Sequence, residues 1–374
     1  MQFKDIIGQQ EVKADLLAQL REERVPHAQL FLGPEGCGKL ALALACAQYL
    51  QCEQPGQDDS CGSCGNCTRA SLLTHPDIHF SFPVVGPKAT STEFLEQWRA
   101  QVKESPYYSV NDWMQRLGAE NKQGNITAEE CLQIVKTFGL KVFEGNYKVW
   151  LLWMPEYLGK EGNRLLKLIE EPEPHTVFFL IGEQSDRILN TILSRCQLYR
   201  IPPLSDEEIA EGLHTAQGLD SERSREIARM ADGNFRDAIQ LGQTGEAHIS
   251  DNFLEWMRLC FQGKVSKLHP WIDLFAGIGR ENQKQFLRYG LHFSGALVRM
   301  KASDSGEVRL GDKEAATARK LAELLSEDAL FGIASLFNEG ILLIERNINP
   351  RIVMMDVSLH IHEHMTGRIS AFRS

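Results

Sequence analysis

A chain of 374 residues, 43% of them hydrophobic, holds enough apolar material for two or three packed domains, and global disorder is excluded. Its formal net charge of −10 rules out long-range attraction to nucleic acid, so any contact with DNA has to come from a local basic patch or from partners. No apolar run approaches the roughly 18 residues of a membrane helix, and residues 1–10 lack the basic and apolar regions of a signal peptide, which points to a cytoplasmic protein with no membrane partner.

The first clear element is AQLFLG, residues 28–33, short, apolar and closed by glycine like a buried strand feeding a turn. It runs into GPEGCGK, with Gly33, Gly38 and Lys39 in the spacing G-x-x-x-x-G-K and Gly36 as a further flexible position. The following KLALALACAQYL is a strong helix former. Strand, glycine loop and helix are the context of a phosphate-binding loop, whose glycines let backbone N–H groups curl around phosphate oxygens while the lysine supplies a point charge. The next residue normally ligates magnesium through a hydroxyl; here it is Leu40, so the fold element is kept and the metal site is damaged.

The segment 52–67 carries Cys52, Cys61, Cys64 and Cys67 in the spacing C-x8-C-x2-C-x2-C. With Gly62 and Gly65 between them, tight knuckles can aim four thiolates at one tetrahedral, structural Zn2+. An iron–sulfur cluster uses the same four thiolates, and spacing does not distinguish the two; reduced bystander thiols or a redox pair are the remaining readings. The other cysteines, Cys37, Cys46, Cys131, Cys196 and Cys260, read as small buried apolar residues.

Residues 85–124 read as an insertion of two short aromatic-rich helices, with Phe94, Trp98 and Val102 on one face and Val110, Trp113, Met114 and Leu117 on another. Packing against the domain is the plain expectation, a partner-docking surface the alternative. Thr127 and Glu130 form a capping box opening a helix with Leu132, Ile134, Val135 and Phe138 on its apolar side. KVWLLWM (148–154) and TVFFLIG (176–182) are unbroken apolar runs, the pattern of a parallel sheet covered on both faces, and NRLLKLIEEP between them has helical spacing up to Pro172. In a working phosphate-loop enzyme the first of these strands ends in acids that hold magnesium and orient water. Here Trp153 and Met154 stand there, and Glu156 lies two residues further on, past Pro155. Two independent losses predict a non-hydrolysing domain.

Alternating strands and helices predict an α/β domain with a doubly wound parallel sheet over residues 1–202. Pro202 and Pro203 close it, a small helical unit follows over 203–247, and an all-helical domain over 248–374. By composition alone Arg195, in Ser194-Arg195-Cys196, is a surface arginine in an ion pair, and Arg236, in GNFRD (233–237), is a solvated residue at a helix start.

Taken in order, IIGQQEV, HAQLFLGPEGCGK, the four-cysteine knuckle, HPDIH, the helix leading to FEGNYKVW, NRLLKLIEEP, ILSRCQ and ADGNFRDAIQL resemble bacterial clamp-loader subunits. These are AAA+ proteins of the DNA polymerase III holoenzyme, and the resemblance, to the delta-prime type among them, covers nearly all of residues 1–245. Beyond it only fragments such as NINPRIVMM resemble the family's helical collar. The resemblance implies a zinc module at Cys52, Cys61, Cys64 and Cys67. It implies that Arg195 reaches across a subunit boundary to ATP held by a neighbour, as an arginine finger, and that Arg236 is the sensor-two arginine of a helical lid. Gly182-Glu183 departs from the small polar residue common at sensor one. The implied partners are gamma/tau-type and delta-type subunits in a five-membered ring that opens a sliding clamp and places it on primed DNA. Gamma-type subunits keep the loop hydroxyl and the acidic strand end, so Leu40, Trp153 and Met154 select the delta-prime type. The alternative is an active gamma-type ATPase in which Glu156 or Glu183 replaces the missing acids. Binding of ATP or ADP without turnover is left open, and the 85–124 insertion departs from the family pattern.

Overall fold

The computed structural model describes all residues except 23, 120–121, 140, 244–248, 303–309, 311, 347 and 368–374. The chain divides into two compact units, Met1–Gly218 with Gly233–Ile239, and Leu219–Asp232 with Gln240–Ser374. The boundary expected at 247/248 lies outside the described residues.

In the first unit, α1 (Gln10–Arg21), β1 (Ala28–Leu32), α2 (Lys39–Gln51), α3 (Gly65–Ser71) and β2 (Ile78–Ser81) are followed by the helices of the insertion, α4 (Leu95–Glu104) and α5 (Val110–Arg116). Then come α6 (Ala128–Phe138), β3 (Lys148–Trp153), α7 (Leu166–Glu170), β4 (Thr176–Gly182), α8 (Asn190–Leu193), β5 (Gln197–Arg200) and α9 (Asp206–Gln217). All strand pairs are parallel, in the order β2-β3-β4-β1-β5. Strands β3 and β4 are buried at every position, which is why they read as unbroken apolar runs. Alternate residues Leu30, Trp150, Leu152, Phe178 and Leu180 share a core with Cys131, Ile134 and Phe138 of α6. Helix α2, buried along its whole length, packs against β1, β3 and β4. The short β2 and the largely exposed edge strand β5 carry no apolar run and were not legible.

Three local expectations change. On α6 the buried stripe is Glu130, Cys131, Ile134 and Phe138, whereas Leu132 and Val135 are 49% and 40% exposed. Thr127 does cap α6, its hydroxyl accepting from the Glu130 N–H at 3.1 Å. The Glu130 carboxylate, however, completes no capping box: it accepts from the Ser81 hydroxyl and, at 2.8 Å, from the Ser91 N–H, tertiary partners that satisfy it in the core. The stretch NRLLKLIEEP is tight 3₁₀ turn up to Leu165 and α-helical only from Leu166. Among the five scattered cysteines, Cys196 is half-buried and the others are buried.

The insertion is part of the core. Trp98 stacks on Phe82 with ring centres 4.1 Å apart, meets Trp113 edge-on at 5.4 Å, and lies 5.2 Å from Trp153. The Trp113 indole N–H donates to the Pro83 carbonyl at 2.7 Å, so this buried ring has its polar atom satisfied. Trp98→Ala is expected to cost about 3–5 kcal/mol, the range for emptying a fully buried aromatic site, measured by denaturant unfolding.

The second unit is helical: α10 (Ser221–Ala231), the later part of α11 (Phe235–Gln243), α12 (Ile249–Gln262), α13 (Val265–Gly277), α14 (Arg280–Ala302), α15 (Asp312–Leu324), α16 (Glu327–Glu345) and α17 (Pro350–Thr366). Helix α16 packs on both α14 and α17 around Phe253, Trp256, Phe286 and Phe337. The Trp256 N–H is satisfied by the Ser358 hydroxyl at 2.9 Å. Among the described residues no helix is long and apolar enough to cross a membrane.

Candidate functional site

Strand β1 delivers the loop 33–39 to the sheet's topological switch point, between β4 and β5, where ligands of open α/β sheets bind. Gly38, at φ +93°, starts α2 in the left-handed region that side-chain-bearing residues avoid. Loop and helix are thus built as expected, but the groups around them are already engaged. Lys39 is buried; its ammonium donates to the Pro34 carbonyl and lies 3.6 Å from the Glu183 carboxylate. Leu40, where a metal-ligating hydroxyl would stand, is a core residue only 4% exposed.

At the end of β3, Trp153 and Met154 are both buried, and Trp153 packs against Trp98 and Tyr108 of the insertion. The backbone turns at Met154, φ +60°, and Pro155, which swings Glu156 back under β4. There one carboxylate oxygen of Glu156 accepts the Glu183 N–H and, at 2.8 Å, the Gln184 N–H. Burial raises the proton affinity of Glu183, partly offset by Lys39, and also that of Glu35 on the loop, partly offset by Arg236.

Arg236 is buried rather than solvated. Its Nη2 donates to Asp112 at 2.6 Å and its Nε to the second oxygen of the same carboxylate, a two-pronged pair. Nη1 donates to Asp237 at 2.8 Å and lies 3.3 Å from Glu35. Burial opposes ionisation of Asp112, but its bonds to Arg236 and Ser109 outweigh burial and hold the carboxyl below the usual range. This contribution to stability is therefore present above the unfolded Asp value and is lost only as pH falls through the lower folded value. Beside the loop lies a pocket of about 100 Å³ lined by Glu35, Glu156 and Glu183 among others. It is acidic, and smaller than the roughly 300–1,000 Å³ of small-molecule sites.

The cysteines come together. Each of Cys52, Cys61, Cys64 and Cys67 offers a sulfur within 4.8 Å of the others, and the Cys61 and Cys67 sulfurs are 3.8 Å apart. A tetrahedron with Zn–S of about 2.3 Å has edges of about 3.8 Å, so the donor set fits Zn2+. Gly62, at φ +73°, makes the knuckle turn. Backbone N–H groups of Cys61, Cys64 and Cys67 donate to the sulfurs of Cys52, Cys61 and Cys64 at 3.2, 3.4 and 3.4 Å, which orients the sulfurs and favours their thiolate form. The Ser63 and Cys64 N–H groups bring the Cys61 thiol down to about 6, while burial pushes Cys52 and Cys67 up.

Arg195, after α8, is partly exposed at the rim of a shallow open pocket of about 480 Å³ shared with His27, Ile169, Glu170 and Ser194. Its Nε donates to Glu170 at 2.6 Å and its Nη1 to the Thr191 carbonyl at 2.7 Å. It is remote in sequence from the glycine loop and is not among the residues that line the acidic pocket there. Asp112, Tyr107 and Glu170 escaped sequence reasoning. Ser109-x-x-Asp112 is legible only as a local cap, which it also is, and nothing local pairs residue 112 with residue 236.

Sheet order, glycine loop and the cysteine knuckle define a phosphate-loop-type α/β domain carrying a four-cysteine cluster that could hold a metal ion. A family model described as DNA polymerase III, delta subunit, matches residues 8–205. The chain is 28% identical over 228 residues to DNA polymerase III subunit delta-prime of Bacillus subtilis, covering 61% of this chain and 57% of that one. To the Escherichia coli subunit delta-prime it is 26% identical over 267 residues, covering 71% and 68%, and to the B. subtilis subunit tau 25% over 273 residues, covering 71% and 42%. The chain thus belongs to the DNA polymerase III delta-subunit family. It spans a little over half the length of the B. subtilis delta-prime protein and less than half that of tau.

Proposed function

We propose that this chain is a delta-prime-type, non-hydrolysing AAA+ member of the replicative clamp loader, and that it donates Arg195 in trans to ATP held by a gamma/tau-type neighbour. The observation carrying this reading is the use made of its own site: Leu40 and Trp153 are core residues, and Lys39 and Arg236 face protein carboxylates. A domain whose metal and water-orienting positions are apolar has no means of activating water. Arg195, by contrast, sits at an open rim, held in shape by Glu170 and the Thr191 carbonyl. The partners in this reading are gamma/tau-type and delta-type subunits, the sliding clamp and primed DNA. Its domains are the AAA+ domain 1–202, a lid over 203–247 and an oligomerising collar over 248–374, and its cofactor is one structural Zn2+.

The second reading, an active gamma-type ATPase, draws on the nearness of Glu183 to Lys39 and on the acidic pocket that Glu156 and Glu183 share. The purified chain with MgATP separates the two. Under the first reading phosphate release stays at background and Lys39→Ala changes nothing; turnover abolished by Lys39→Ala establishes the second.

A further inference from the structure

The insertion does more than fill the core. Its segment 105–112 runs into the mouth of the glycine loop, and two side chains end on groups that a bound nucleoside phosphate would use. The Tyr107 ring lies against Gly38, where a β-carbon would come within 3.2 Å of it. It meets Phe235 edge-on with centres 5.0 Å apart, and its hydroxyl accepts the Ile7 backbone N–H at 2.9 Å. Tyr107 thus fills a space shaped for a flat ring, with an aromatic side chain edge-on to it and a main-chain N–H facing its polar atom. Asp112 then engages Arg236 with both carboxylate oxygens, the fork that guanidinium groups offer to phosphate as readily as to carboxylate. The 233–237 turn closes over the same loop: the Phe235 N–H donates to the Gly36 carbonyl at 3.2 Å, and the Asn234 side chain occupies the space a β-carbon on Gly36 would need.

We infer that residues 105–112 act as an intrachain stand-in for a nucleotide, with Tyr107 in the place of the base and Asp112 in the place of a phosphate. The loop is thereby closed by the chain itself, and the turn bearing Arg236 stays docked on it without ATP or ADP. Here the coupling of turn to loop is made by the chain's own groups, Asp112 on Arg236 and the Gly36 carbonyl on the Phe235 N–H. The inference deepens the non-hydrolysing reading and rests on loop 33–39 being of phosphate-binding descent, but it does not depend on Arg195 acting in trans.

The test is thermal unfolding of the full zinc-loaded chain with and without about 1 mM MgATP or ADP. The wild-type Tm is expected not to move. In the double variant Tyr107→Ala, Asp112→Asn, with the stand-in removed, the starting Tm is lower and nucleotide raises it by at least about 2 °C, as any ligand selective for the folded state does. A wild-type Tm that rises with nucleotide overturns the inference, and so does a folded double variant that ignores it. Should the double variant not fold, hydrogen exchange on the nucleotide-free wild type decides: slow exchange at Ile7 and Phe235 supports the docked state, fast exchange overturns it. Failure on any of these counts leaves Arg195 donation untouched, because that is read from the assembled complex.

Discussion

Replacing Arg195 by alanine is expected to lower ATP hydrolysis by a loader reconstituted with gamma/tau-type partners at least tenfold, while the isolated chain keeps its Tm. The magnitude follows from the physics of charge on a transferring phosphoryl group: an arginine supplied to it is worth about 10³–10⁵ in rate at the site it serves, diluted when a ring holds several sites. A planar fork is needed, so Arg195→Lys recovers little, its ammonium being a point charge on a flexible stem. In the free chain the guanidinium is paired with Glu170, partly exposed, and such a pair contributes at most about 1 kcal/mol; hence the unchanged stability. Unaltered turnover in a complex shown by size and composition to be intact would reject donation by Arg195.

Removing the metal, by chelation or by Cys61→Ser, is expected to have the largest structural effect. Structural Zn2+ contributes on the order of 10 kcal/mol to the segment that binds it, and loss of a direct ligand exceeds the roughly 10–100-fold in affinity that a supporting partner is worth. The consequence reaches beyond the knuckle, because the start of the chain is tied to it. Gln2 donates to the Ser60 carbonyl at 2.7 Å, and the N–H groups of Phe3 and Lys4 are held by Asp59 at 3.1 and 3.0 Å. About one zinc per chain is expected by metal analysis; chelation then speeds hydrogen exchange over residues 1–5 and 52–71 and leaves the core strands protected. The pH dependence has a fixed sign. Binding requires thiolates, so metal uptake releases protons and weakens as pH falls. Burial pushes the Cys52 and Cys67 thiols up, so protons leave these two as the metal is taken up at neutral pH. A protein without zinc, or one carrying iron with visible absorption, overturns the assignment.

The difference between what was and was not legible follows from which forces are local. The strands at 148–153 and 176–182 stand out because central parallel strands need apolar side chains on both faces, and that demand is written in consecutive residues. The edge strand 197–200 meets no such demand and escapes notice. On α6 the spacing found the helix and its Thr127 cap but not its stripe: apolar residues occupy two adjacent faces, and only the sheet beneath selects Cys131, Ile134 and Phe138 over Leu132 and Val135.

By itself the sequence determined the glycine loop with its missing hydroxyl, the four cysteines whose spacing needs only short-range turns, and the family. The tertiary structure alone decided what those residues meet. Arg236 and Asp112 are 124 positions apart, Tyr107 and the Ile7 N–H are 100 apart, and no local pattern encodes pairings of that range. A buried arginine must find an acid wherever the fold brings one, because leaving it unpaired costs more than any local preference can supply. That demand is met by a helix start in the insertion, where the Asp112 carboxylate serves at once as acceptor for the N–H of the cap residue Ser109 and as the counter-ion of Arg236.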